Sequence, residues 1–161
     1  MAKFTIFNIG DETFGIDISH VLEILRVQRI FSIPGLPDFL SGVMNVRGAV
    51  IPIMDLRLRF GMVPAGRKER IILVRCGDEK LGFLVDEIRE IIALDDGEIR
   101  TAPSIFKGFK TEYLTGLGKK GDRIIILLNI DSLLTSEERI WLQESKELLE
   151  ETGGGTEQTA E

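Results

Sequence analysis

Gly116-Leu117-Gly118-Lys119-Lys120-Gly121 has the G-x-G-x-x-G spacing of a dinucleotide-binding loop. That chemistry sets the glycines between a strand and a helix, so that backbone N–H groups at the helix start meet a pyrophosphate. Here Asp122-Arg123 leads into Ile124-Ile125-Ile126-Leu127, a strand pattern. The glycines therefore read as a flexible hairpin turn, and no cofactor is expected. His20 is the only histidine and Cys76 the only cysteine. They cannot assemble the nitrogen and sulfur ligands of a zinc site, so no metal is expected. A Ser-His-acid triad would need His20, and no G-x-S-x-G elbow supplies its serine. Asp86-Glu87 and Asp95-Asp96 fall at expected turns, where aspartate favours local backbone hydrogen bonds. Nothing sets two carboxyls across a cleft with separated pKa values. No catalytic residue emerges, and the chain reads as a non-enzyme.

Binding chemistry is concentrated between Leu40 and Leu56. This run is strongly apolar, yet Asn45 and Arg47 interrupt it and Gly42 and Gly48 bracket them. Arg47 presents a rigid five-donor fork suited to a carboxylate. Two readings are open. Arg47 reaches outward from a Gly48-marked turn to an acid on a partner, or it pairs internally with an acid such as Glu23.

The elements around this run come from a duplication. Gly10-Asp11-Glu12-Thr13-Phe14-Gly15 recurs as Gly77-Asp78-Glu79-Lys80-Leu81-Gly82, an offset of 67 residues. Ile16/Phe83, Ile18/Val85, Val21/Ile88, Glu23/Glu90 and Ile24/Ile91 keep that offset. A fixed period marks one structural unit used twice. In each unit a hairpin (Phe4–Ile9 with Phe14–Ile18; Ile71–Cys76 with Lys80–Val85) precedes a third strand. A late hairpin follows: Gly42–Val46 with Ala49–Met54, then Tyr113–Leu117 with Arg123–Asn129. About five short strands per half suit small β-barrels, which leave no open edge. The expected boundaries are residues 1–66, 67–134, a helix over 135–151 and a disordered tail over 152–161. Thr135 and Glu138 have capping-box spacing for that helix, and Ile140, Trp141, Leu148 and Leu149 give it an apolar stripe. Each half is about 65 residues, a marginal size for a lone core, so the halves should pack together.

The net charge of −6 opposes a nucleic-acid binder, which carries a basic footprint. A single cysteine excludes an intrachain disulfide. No stretch reaches the roughly 18 apolar residues of a membrane span, and Met1-Ala2-Lys3 runs into a strand without a signal-peptide core. A cytoplasmic location is expected.

Gly42-Val-Met-Asn-Val-Arg-Gly48 and Val50-Ile-Pro-Ile-Met-Asp-Leu56 resemble the signature of the bacterial chemotaxis coupling protein family, CheW. Phe14–Ile18 with Val21–Ile24, Gly82–Asp86 and Glu112–Gly118 resemble other family segments, and the likeness runs from about Phe4 to Leu134. It implies an all-β fold of two packed SH3-like five-stranded barrels. It also implies a non-enzymatic adaptor coupling transmembrane chemoreceptors to a chemotaxis histidine kinase. The implied partners are the cytoplasmic receptor tip and the kinase's regulatory domain, at membrane receptor arrays and without membrane insertion. On this likeness Arg47, Glu23, Val21, Asn45 and Gly42 face the receptor, and Ile18, Ile88 and Thr5 face the kinase. The alternative is a CheW-like regulatory domain of a kinase or a related signalling scaffold. A chain beginning at Met1 with no kinase or response-regulator segment favours the stand-alone coupler.

Overall fold

Gly10 and Gly77 take φ of +57° and +63°, the left-handed geometry a tight turn requires and glycine adopts freely. Each closes an apolar hairpin in a computed structural model that describes residues 1–66, 68–101 and 111–145. The first hairpin is β1 (Ala2–Ile9) and β2 (Glu12–Asp17). Next come β3 (Val21–Arg26), β4 (Ile30–Phe31), β5 (Gly42–Val46), β6 (Ala49–Asp55) and the short helix α1 (Leu56–Arg59). The second unit repeats the order. It has β7 (Arg70–Cys76), β8 (Glu79–Val85), β9 (Glu87–Leu94), β10 (Ile99–Arg100), β11 (Leu114–Lys120) and β12 (Arg123–Leu128). Helix α2 (Ser136–Glu144) follows.

The strands form two six-stranded sheets, ordered β10-β11-β12-β2-β1-β9 and β3-β7-β8-β6-β5-β4. Read in matching directions, every strand occupies the place of its repeat counterpart. The opening hairpin of each unit, however, sits in the other unit's sheet. A boundary at residue 66 therefore separates the repeats in sequence and does not separate the sheets. Hydrophobic alternation tells which face of a hairpin is buried; it does not tell which neighbour the hairpin pairs with. The exchange is sealed by two parallel joints, β12 with β2 (Ile126↔Phe14) and β6 with β8 (Met54↔Phe83). Gly15 and Gly82 stand at these joints. A Cβ on Gly15 would lie 3.1 Å from Leu127 Cδ2, and one on Gly82 would lie 2.6 Å from Ile53 Cδ1. The strands come this close because both positions lack a side chain.

Each sheet curls around a core of its own. Met44, Ile51, Ile53, Ile71, Leu73 and Leu84 cluster in the second sheet, with Leu25 of β3 and Ile30 of β4 packed on them. Those two strands are opposite ends of the sheet, so it must close on itself. Phe4, Ile6, Leu94, Ile125 and Leu127 do the same in the first sheet, joined by Ile92 and Ile99. A third and larger cluster lies between the sheets. Through it runs an aromatic series: Phe7–Phe14 at 5.7 Å, Phe14–Phe60 at 5.4 Å and Phe60–Tyr113 at 5.7 Å. The two-barrel expectation thus holds as two curled sheets, with six strands each in place of five. The additional strands are the two-residue β4 and β10, too short for a periodicity to show.

The G-x-G-x-x-G glycines are not all in a turn. Gly116 and Gly118 lie inside β11, and only Gly121 (φ +62°) turns the chain. A Cβ on Gly116 would meet the Arg100 carbonyl oxygen at 2.6 Å, which is why the strand carries glycine there. Helix α2 has the expected capping box, with Thr135 Oγ1 accepting from Glu138 N–H and Glu138 Oε1 from Thr135 N–H. It docks through buried Leu142 and an edge-on contact of Trp141 with Phe39, whereas Ile140 points to solvent at 52% exposure. Leu148, Leu149 and the tail lie outside the described residues. Among the described residues, no helix is long and apolar enough to cross a membrane.

Candidate functional site: the Arg47–Glu23 face

Arg47 and Gly48 are the central residues of a two-residue hairpin loop closed by Val46↔Ala49. Their φ values, +50° and +86°, are those of a type I′ turn, whose twist matches the flanking strands. Asn45 Oδ1 accepts from Gly48 N–H at 2.9 Å and fixes the loop. Arginine is uncommon in this backbone region, and holding it there aims the guanidinium at β3. Both fork nitrogens donate to Glu23, Nη1 to Oε1 at 3.0 Å and Nη2 to Oε2 at 2.6 Å. A bulge between Val21 and Glu23 in the β3–β7 ladder sets the carboxylate in place.

The hydrogen bonds from Arg47 hold the Glu23 carboxyl below the usual glutamate range, with a smaller contribution from the charge of Lys80. The hydrogen bond to Glu23 raises Arg47 in turn. The pair remains open to water, with side-chain exposures of 69% for Arg47 and 36% for Glu23. The internal pairing foreseen as one reading is therefore present, but it lies on the surface. Exposed pairs add little stability, so this arginine does not hold the fold together. Its donors stay accessible to a second carboxylate.

The structure brings together Arg47, Glu23 and Asn45, with Val21 on the same strand as Glu23 and packed against the shared core. Gly42 lies at the far end of β5 and is buried; a Cβ there would sit 2.5 Å from the Phe31 carbonyl oxygen. Its need for glycine is one of packing. Ile18 opens the 3-10 turn after β2 and is 39% exposed. Ile88 is half-buried against the shared core. Thr5 is only 5% exposed, between Ile16 and Ile91 in the sheet, and offers a partner little surface.

The other repeat carries a related pair. Glu90, the counterpart of Glu23, accepts from Arg123 Nη1 at 3.3 Å. Arg123 directly follows the β11–β12 turn, so each late hairpin sends one arginine to the same glutamate of its sheet.

Sequence reasoning missed a second charged centre. Arg57 is 3% exposed. It donates to both oxygens of Asp55 at 2.9 and 3.0 Å, to Glu69 at 2.7 Å and to Asp86 at 2.8 Å. Asp86 also accepts from Gly10 N–H at 2.7 Å and Ala65 N–H at 3.2 Å. Asp86 was expected to serve its own turn; it instead ties α1, the inter-repeat linker and the first hairpin together. Burial pushes its carboxyl up, but the Gly10, Arg57 and Ala65 donors outweigh that and hold it below the usual aspartate range. The one hint in sequence was a charged residue, Arg57, one place after the apolar run ends in Asp55-Leu56. Among the described residues, no group of three or more His, Cys, Asp or Glu is placed to hold a metal.

A two-sheet β-fold with this hairpin signature matches the CheW-like domain family model over residues 3–138. The chain belongs to the CheW family. It is 41% identical to the chemotaxis protein CheW of Klebsiella aerogenes over 138 residues, 84% of this chain and 83% of that one. It is 33% identical to the CheW of Treponema pallidum, covering 84% of each. The crystal structure of the scaffolding protein TtCheW from Thermoanaerobacter tengcongensis superposes with a TM-score of 0.77 at 32% identity. That match covers 85% of this chain and 90% of the CheW structure.

Proposed function

We propose that this CheW-family chain is a non-enzymatic adaptor that couples chemoreceptors to a chemotaxis histidine kinase. The observation that carries the reading is the exposed Arg47 fork at the apex of a rigid hairpin. It is a preset carboxylate receptor on a scaffold that holds no catalytic constellation among the described residues. Arg47, Glu23, Asn45 and Val21 form the receptor-facing surface, with Gly42 keeping β5 close to β4 behind it. Ile18 and Ile88 face the kinase's regulatory domain, and Thr5 supports that side from within its sheet. The protein acts where receptors cluster at the membrane, and no helix among the described residues is long and apolar enough to cross it. Titration of the full chain with a receptor cytoplasmic fragment, and separately with a kinase regulatory domain, tests the reading. Saturable binding to both is expected; binding to neither overturns it.

A further inference from the structure

Arg75 and Lys80 face each other directly across the β7–β8 ladder. Both are exposed, and neither forms an ion pair among the described residues. Like charges placed opposite each other destabilise a sheet. Alternation along a strand sets Arg75 on the face of Leu73 and Ile71, and Lys80 on the face of Leu84. These three residues belong to the inner core of the second sheet. Arg75 and Lys80 therefore stand at the rim where that core meets water. Glu23 pairs with Leu73 in the adjoining ladder and belongs to the same rim, and Arg47 closes it by gripping Glu23. Arg47 bonds Glu23, the charge of Lys80 reaches it, and Arg75 adds a third cation to the same rim, on a protein whose net charge is −6.

The duplication provides an internal control. At the same offset Arg75 corresponds to Asn8, and Lys80 to Thr13. Asn8 and Thr13 are also opposite each other, and Asn8 Nδ2 donates to Thr13 Oγ1 at 3.3 Å. Around that pair the charges balance in ion pairs, Arg123 with Glu90 and Arg89 with Glu87, and Glu87 lies directly opposite Asn8. The fold is therefore satisfied by a neutral, hydrogen-bonded pair at this place. Among the described residues, two unpaired cations directly opposite each other at these positions occur on the Arg47 face alone.

We propose that Arg75 and Lys80 extend the Arg47 site into a cationic rim that docks a carboxylate-rich segment of the partner protein. The inference rests on the reading of Arg47 as receptor-facing and names the chemistry of what it meets there. An acidic segment removes the Arg75–Lys80 repulsion on binding, and the rim steers its approach.

The test transplants the neutral pair of the other repeat: Arg75→Asn with Lys80→Thr, in the full chain. Wild type and variant are titrated with a chemoreceptor cytoplasmic fragment at about 50 mM and about 500 mM salt, which differ several-fold in screening length. The variant is expected to bind about ten-fold more weakly at low salt, mainly through slower association. The gap should close at high salt, and binding to the kinase regulatory domain should be unchanged. Its melting temperature should equal or exceed that of the wild type. The single variant Lys80→Thr should show a smaller loss in the same direction and guards against a folding defect in the double variant. Equal receptor affinity at low salt, with the wild type binding normally, overturns the rim while leaving the adaptor reading intact. An equal loss toward the kinase domain overturns it as well. A wild type that binds no receptor fragment removes the adaptor reading, and the rim falls with it.

Discussion

Arg57 donates to Asp86 at 2.8 Å, with both side chains only 4% exposed, and joins the helix after β6 to the residue after β8. Because Asp86 also accepts from Gly10 N–H, one carboxylate is shared between the two sheets and the linker. Asp55 and Glu69 complete the shell, and no buried side-chain nitrogen or oxygen among the described residues lacks a partner. Arg57→Met strands Asp55 and Asp86 as buried charges. It is expected to cost roughly 3–5 kcal/mol, read as a shift of the urea midpoint with an unchanged slope.

The same pair sets a pH dependence. The Asp86 carboxyl titrates below its usual value of 3.8 in the folded protein. A group lowered on folding contributes stability that is complete above its unfolded pKa and disappears as pH falls through the folded one. Wild type should therefore hold its advantage over Asp86→Asn at neutral pH and lose it progressively below about pH 3.8. Denaturation midpoints for both proteins across pH 6 to 3, on the order of the carboxylate range, check this. An advantage that grows on acidification is the contrary result.

Gly42→Ala should destabilise the fold by about 1–3 kcal/mol, the usual cost of overpacking. The added methyl meets the Phe31 carbonyl oxygen at 2.5 Å, and backbone yields less readily than a side chain. Receptor affinity per folded molecule should stay unchanged. A stable variant with lost affinity would make Gly42 a contact residue.

Arg47→Glu should leave melting within about 2 °C of wild type, since an exposed pair carries little stability. Receptor binding should be lost and kinase binding kept. A collapse in melting temperature that Glu23→Arg rescues would make the residue structural.

Much of this was legible from residues. The Gly10 and Gly77 turns, the strand faces and the Thr135 cap follow from local spacing, and local chemistry decides them. The hairpin exchange was not legible. Gly15 and Gly82 look alike in sequence, and only packing decides that Gly15 pairs with Leu127 while Gly82 pairs with Ile53. The Arg47–Glu23 partnership was foreseen as a candidate because Arg47 marks a turn and Glu23 lies on a repeated strand. An outward-reaching Arg47 and an Arg47 paired with Glu23 were alternatives in the sequence; that both hold at once depends on the height of the neighbours around the loop, which spacing does not give. Arg57 was missed because its three acids come from three separate segments.

An adaptor of this kind must hold receptor and kinase on one chain at the same time. Sedimentation of the chain mixed with a receptor cytoplasmic fragment and a kinase regulatory domain tests it most directly. A single species containing all three is expected, with Arg47→Glu releasing only the receptor. Two binary complexes that compete for the chain and never co-sediment would contradict it.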